Sequence, residues 1–261
     1  LLLNDGTGKF KDITISAGLT KHTPTQACAF ADFNLDGWLD LLVVNESFDT
    51  LQYPTQLWIN NKNNTFTDIG YQAGLTTMGY FKGVSVDDLN NDRFPDIYIS
   101  NLGGRNLLYL HNGLDSNNIP TFNESKTSGT EQPIASFPTH IFDFNNDGLN
   151  DILVSSFQSG RGSVSADFSL DVQNQETKSP TLLYLNKGDG KFEEVHKQIG
   201  LKESIYTMGC NFGDINNDGW LDIYLATGDP SFFSIVPNKL YFNNEGNRVE
   251  DVSYATGTAH I

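Results

Sequence analysis

Short apolar runs recur along the chain, each bounded by clusters of Gly, Asn and Asp. Leu41-Leu42-Val43-Val44, Ile97-Tyr98-Ile99, Ile152-Leu153-Val154 and Ile223-Tyr224-Leu225 are continuous runs, short enough for strands covered on both faces. A second segment alternates with them. It reads apolar-aromatic-apolar-Asn, with copies at Leu1-Leu2-Leu3-Asn4, Leu57-Trp58-Ile59-Asn60, Leu108-Tyr109-Leu110-His111, Leu183-Tyr184-Leu185-Asn186 and Leu240-Tyr241-Phe242-Asn243. A turn follows each copy: Asp5 to Gly8, Asn61 to Asn64, Asn112 to Pro120, Lys187 to Gly190, and Asn244 to Asn247. Gly, Asn and Asp tolerate positive φ, so each turn suits a hairpin. The strand after the turn carries Phe10, Phe66, Phe122, Phe192 or Val249. No segment shows a helix-length stripe of period 3.6.

Each unit therefore supplies four short strands: A and B around an acidic loop, then C and D around the second turn. Four-stranded units repeating at roughly fifty residues predict an all-β fold of β-propeller blades. A parallel β-helix or a sandwich is the rival. The expected blades cover residues 1–18 (strands C and D only), 19–70, 71–125, 126–200 and 201–261. That makes four full blades and a half-blade in a single propeller domain or fragment, seven-bladed in the parent. The missing strands of the half-blade are expected in the remainder of a longer chain. In such a ring the A–B and C–D loops share one face, and the B–C and D–A loops share the other.

The acidic loops carry the chemistry. Asp-x-Asn-x-Asp-x-x-x-Asp occurs four times, with starts 56, 55 and 71 residues apart. A hard cation such as Ca²⁺ takes six to eight oxygens. Side chains at positions 1, 3, 5 and 9 and a carbonyl at position 7 supply them. The predicted ligands are Asp32, Asn34, Asp36, Trp38 and Asp40; Asp88, Asn90, Asp92, Phe94 and Asp96; Asp143, Asn145, Asp147, Leu149 and Asp151; and Asp214, Asn216, Asp218, Trp220 and Asp222. Three carboxylates this close repel one another without a cation. An EF-hand needs Glu at position 12, where this chain has Val43, Ile99, Val154 and Leu225. Position 6 is Gly37, Gly148 or Gly219, but Arg93 in the second loop, so residues 88–96 are expected to bind calcium most weakly. Mg²⁺ suits the loops less well, because it demands tight octahedral geometry. No Cys/His spacing suits zinc.

Charge narrows the partners. Acids outnumber bases 32 to 16, a formal net charge of −16, and four Ca²⁺ would bring it to −8. Such a surface repels nucleic acid and anionic membrane. No run approaches the eighteen apolar residues of a membrane span.

These motifs resemble the FG-GAP/VCBS repeat family, the calcium-binding propeller blades of integrin α-subunits and many secreted bacterial proteins. The nearest likeness is to its cartilage acidic protein and ASPIC-type branch. The residues are Ala17-Gly18-Leu19, Ala73-Gly74-Leu75, the run Phe212 to Tyr224, and Asn238 to Asn243. The resemblance implies seven-bladed propellers, Ca²⁺ in the A–B loops and extracellular binding. It implies no single activity.

Insertions lie mostly in the B–C loops, at 46–56, 156–180 and 227–239. That face is expected to take a protein or glycan, through Tyr53, Phe168, Phe232 and Phe233. Two function classes stay open: a secreted binding or scaffold module, and part of a carbohydrate-active enzyme of polysaccharide-lyase or lectin-like kind. The five histidines form no motif with an acid or nucleophile, and His140 reads as a packed, hydrogen-bonded residue. Cys28 and Cys210 each stand four residues before a loop and read as buried free thiols. Asn45, Asn63 and Asn123 head glycosylation sequons, usable after eukaryotic secretion. Loops of this kind fill with calcium outside the cytosol, where the ion is abundant.

Overall fold

The structure is a computed structural model describing residues 1–157, 180–202, 206–228 and 236–260. It is all-β. Strands β1 (Leu2–Asn4) and β2 (Phe10–Asp12) make a two-stranded hairpin. Sheet 1 holds β3 (Thr25–Ala31), β4 (Asp40–Asn45), β5 (Gln56–Asn60) and β6 (Phe66–Asp68). Sheet 2 holds β7 (Phe81–Asp87), β8 (Asp96–Asn101), β9 (Leu107–Leu114) and β10 (Pro120–Ser125). Sheet 3 holds β11 (Ser136–Phe142), β12 (Asp151–Ser156), β13 (Thr181–Asn186) and β14 (Phe192–Glu194). Sheet 4 holds β15 (Thr207–Gly213), β16 (Asp222–Thr227), β17 (Lys239–Asn244) and β18 (Arg248–Asp251). Every sheet is an antiparallel meander in chain order. These are the blades of a propeller-like fold, and their first strands β3, β7, β11 and β15 pack side by side.

Three apolar cores lie between the sheets. Phe33, Leu42, Val44 and Leu57 of sheet 1 meet Phe81, Ile97, Ile99 and Tyr109 of sheet 2. Leu89, Tyr98 and Leu108 meet Ile152, Val154 and Tyr184 of sheet 3. Phe144, Leu153 and Leu183 meet Ile223, Leu225 and Tyr241 of sheet 4. Side chains alternate across a strand, so Ile97 and Ile99 face one neighbour while Tyr98 faces the other. This explains the unbroken apolar runs: β8 and β12 are buried at every residue.

The Ala-Gly-Leu segments fix the step from one blade to the next. The Phe66 N–H donates to Ala17 O at 3.0 Å, and the Phe122 N–H to Ala73 O at 2.9 Å. Each bond ties strand D of one blade to the segment before it. Gly74 has φ +89, and a Cβ there would stand 2.9 Å from Phe122 O, so a side chain is excluded on both counts. The third linker forms a single helical turn, α1 (His196–Ile199), closed by Gly200 at φ 99.

One turn differs from expectation. Strand β9 runs to Leu114, past the expected start of its turn at Asn112. Asp115 makes the shorter loop possible, because its Oδ1 accepts the N–H groups of Asn117 and Ile119.

Candidate metal centres

The four acidic loops share one geometry. The first Asp accepts the position-5 N–H through Oδ1, at 2.9 Å in Asp32, 3.2 Å in Asp88, 3.1 Å in Asp143 and 3.0 Å in Asp214. Its Oδ2 accepts the position-6 N–H at 2.8, 2.7, 2.9 and 3.0 Å. The amide of Asn34, Asn90, Asn145 or Asn216 donates to the position-5 carboxylate at 2.9–3.0 Å. Two left-handed residues turn each loop inward. Position 4 has φ 54–60 at Leu35, Asn91, Asn146 and Asn217, and position 6 has φ 75–90. Arg93 adopts φ 75 where the other loops have glycine, so the second loop keeps its shape at a cost in backbone strain.

The ninth residue is the anchor. Asp40, Asp96, Asp151 and Asp222 are fully buried. Each Oδ2 accepts the N–H of position 2, from Phe33, Leu89, Phe144 or Ile215, at 2.9–3.0 Å. Each Oδ1 accepts the last N–H of the strand C motif, from Asn60, His111, Asn186 or Asn243, at 2.7–2.9 Å. Burial first, then the two acids beside it, pushes Asp40 up to about 6 and Asp96 and Asp151 up to about 7. In the first loop Lys62 answers part of the charge, 3.2 Å from Asp36.

Donor chemistry fits a hard cation. The loops offer carboxylate and amide oxygens, the donors such an ion takes, although Asp88 Oδ1 already accepts two N–H groups, those of Asn90 at 3.3 Å and Asp92 at 3.2 Å. Among the described residues, however, no three His, Cys, Asp or Glu side chains stand together as a ready metal cage. The ninth carboxylate faces backbone N–H groups, and position 3 contributes an amide rather than an acid.

A second role of the strand C motif is visible only in the structure. Asn186 Nδ2 donates to Asn150 O in its own loop at 2.9 Å and to Leu89 O, in the loop of the preceding blade, at 2.7 Å. Asn243 does the same with Leu221 O at 3.2 Å and Phe144 O at 2.8 Å. His111 replaces Asn in blade 2, and its Nε2 meets Phe33 O at 3.0 Å. The first three acidic loops are thus pinned at position 2 by the next blade.

One hairpin, one loop geometry and one cross-blade bond recur in the same order. The FG-GAP-like repeat matches residues 1–43, 88–154 and 143–225. The chain belongs to the FG-GAP-like repeat family. Cartilage acidic protein 1 of Homo sapiens is 25% identical over 255 residues, covering 95% of this chain and 35% of that protein. Its Mus musculus counterpart is 26% identical over 232 residues, covering 87% and 32%. The FG-GAP-like chain therefore spans about a third of the length of these relatives. A rhamnogalacturonan lyase of Bacillus licheniformis aligns with a TM-score of 0.44 at 11% identity, covering 87% of this chain and 41% of that one.

Opposite the acidic loops, this FG-GAP-like chain gathers aromatics from successive blades. Phe48, in the first B–C loop, packs edge-on against Tyr80 with ring centres 6.0 Å apart. Lys82 pairs with Glu46, and its Nζ sits 4.0 Å from the Tyr80 ring centre and 5.6 Å from that of Phe137. Phe48 is 45% exposed. Tyr53 is half-buried near this group, its N–H donating to Ser47 Oγ at 2.8 Å. Phe168, Phe232 and Phe233 lie outside the described residues. His140 is hydrogen-bonded, its Nε2 2.7 Å from Cys210 O. Of the sequons, Asn45 is fully buried and its amide donates to Pro54 O at 2.8 Å, whereas Asn63 and Asn123 are exposed. Among the described residues no helix is long and apolar enough to cross a membrane.

Proposed function

We propose that the chain is a calcium-stabilised binding or scaffold module that works outside the cell. One observation carries this reading: four loops of the same oxygen-donor set and the same left-handed turns stand at one end of four sheets. The side chains at positions 1, 3, 5 and 9 and the carbonyl at position 7 would hold Ca²⁺. The bound ion supplies the positive charge that lets three carboxylates share a loop. Burial of Asp96 and Asp151 raises the cost of their negative charge, which favours a cation beside them.

The opposite end supplies the binding surface. Phe48, Tyr53, Tyr80 and the Lys82–Glu46 pair offer aromatic faces beside fixed charges, a surface that suits a protein or glycan. Its occupant would work where calcium is abundant, since loops of extracellular modules bind the ion at about 10⁻⁴–10⁻³ M. Membership of the FG-GAP-like family and likeness to cartilage acidic protein 1 favour the same setting.

The test is a calorimetric Ca²⁺ titration with thermal melts, on the chain and on a D36A/D147A/D218A variant. Three or four ions bound, with a melting rise of about 10 °C that the variant lacks, supports the reading. No heat of binding and an unchanged melt would leave the loops as turns alone.

A further inference from the structure

The turn between strands C and D stands beside the acidic loop, because the strand C Asn just before it donates its N–H to the ninth carboxylate. Asn60 pairs with Phe66, Asn186 with Phe192 and Asn243 with Val249, so the turns of blades 1, 3 and 4 have equal length. Two residues after that Asn stand Lys62, Gly188 and Glu245, all left-handed, at φ 64, 79 and 53. Lys62 and Gly188 are held alike, each donating its N–H to the Asn Oδ1 at 2.9 Å. One backbone position thus carries a positive charge in blade 1, none in blade 3 and a negative charge in blade 4.

In blade 1 that charge reaches the acidic loop. Lys62 Nζ lies 3.2 Å from Asp36 Oδ2, an oxygen that also accepts the Asn34 amide. Among the described residues, no acid of the other three loops is paired with a base. Strand D explains the difference. Lys187, in the turn of blade 3, is taken by Glu193 at 2.7 Å. Glu193 stands opposite Leu185, and the residue in the same register of blade 1, opposite Ile59, is the neutral Thr67. Between Asn60 and Thr67 the hairpin has no acid to hold Lys62, so its ammonium turns to Asp36. Calcium would need that same carboxylate, and two cations drawn to one oxygen repel each other.

Resting on the calcium role proposed for these loops, we infer that Lys62 is a tethered counter-ion of the first acidic loop, which holds Asp36 when calcium is scarce and must swing away before the ion takes that carboxylate. One side chain then has two opposite effects. With calcium scarce, the ammonium relieves repulsion among Asp32, Asp36 and Asp40 and steadies the loop. With calcium present, it raises the concentration at which the loop fills. Lys62 is half exposed, and an exposed pair is weak, so the effect is a tuning of about threefold to tenfold and not a block.

The test reads the first loop by itself. Trp38 and Trp220 are the tryptophans of the acidic loops, and Trp58 lies in β5, so Trp220→Phe leaves Trp38 as the loop emitter. In that background Tb³⁺, a probe of oxygen-donor calcium sites, is titrated by its tryptophan-sensitised emission and then displaced with calcium chloride. Lys62→Gln is expected to tighten both ions at the first loop by about fivefold, and to lower the calcium-free melt by about 1–2 °C. Lys62→Arg keeps the charge and stays within about twofold of the parent. Lys11→Gln, which removes an exposed lysine from the β1–β2 hairpin, changes neither readout. An unchanged or weaker midpoint with Lys62→Gln, or an equal gain with Lys11→Gln, overturns the proposal and leaves the calcium role standing. Sensitised emission absent from every variant sinks the calcium role, and the tethered counter-ion with it.

Discussion

The two ends of the sheets obey different rules. At one end, four loops from four blades repeat the same hydrogen bonds to within a few tenths of an ångström. At the other, the B–C connections differ in length and sequence, and the described groups there are specific to one place: Phe48 on Tyr80, Lys82 against Glu46. A loop that anchors a buried carboxylate, its own strand C and the next blade has little room to vary. A loop that only spans two strands is free to acquire side chains for a partner. The contrast separates what holds the fold from what the fold presents.

The sharpest break in that comparison is expected at a ninth residue. Asp151→Ala strands two backbone N–H groups, those of Phe144 and Asn186, and is expected to cost about 3 kcal/mol, roughly 6–10 °C in a calcium-free melt. A fall of under about 2 °C would mean that the anchor contributes little.

pH comes next. Asp40 rises to about 6 and Asp96 and Asp151 to about 7, against an ordinary value of 3.8. Between 3.8 and those values only the folded chain holds these protons, so calcium-free stability falls as pH rises through the window. Calcium requires the ionised carboxylates, so the gain from calcium grows as pH rises. Melts at about pH 5 and 7.5, with EDTA or calcium, are expected to diverge by several degrees at the higher pH. Parallel curves would contradict the proposed calcium ligands.

Cross-blade bonds are expected to matter less. Asn186→Ala removes one of them together with a bond to Asn150 O in its own blade, and should lower stability by about 1–2 kcal/mol in urea unfolding, whereas Asn60→Ala should cost about half as much. Arg93→Gly relieves a left-handed residue and removes a positive charge. It is expected to add about 1 kcal/mol and to tighten calcium at the second loop by about threefold or more, read by titration. The smallest effect belongs to the opposite end. Phe48→Ala should move the melt by less than about 2 °C while weakening any partner captured on that face. A larger shift would show that the two ends are not separable.

Strands and loops were legible because both follow a fixed local spacing. Five positions in nine residues define the loop, and the apolar run beside it defines strand B. The role of the strand C Asn was not legible, although the motif itself stood out. Asn186 and Leu89 are 97 residues apart, and only stacking of the sheets brings them together. His111 hides the pattern further, since the same task falls to a ring nitrogen. The aromatic group at the far end escaped for a similar reason: Phe48 and Tyr80 come from two connections and Phe137 from the start of β11. Cys28 was expected buried from its place in the repeat. It is exposed because the face it shares with Phe30 has no described neighbour.

The cross-blade bonds have a mechanical consequence. The first three acidic loops are each gripped by the next sheet, and each apolar seam lies just inside that grip. Sliding two sheets past each other therefore has to tear a polar latch and peel an oily joint in the same motion. The array should yield to tension as a zip of whole teeth, opening from a free end, with little sign of half-open intermediates within a tooth.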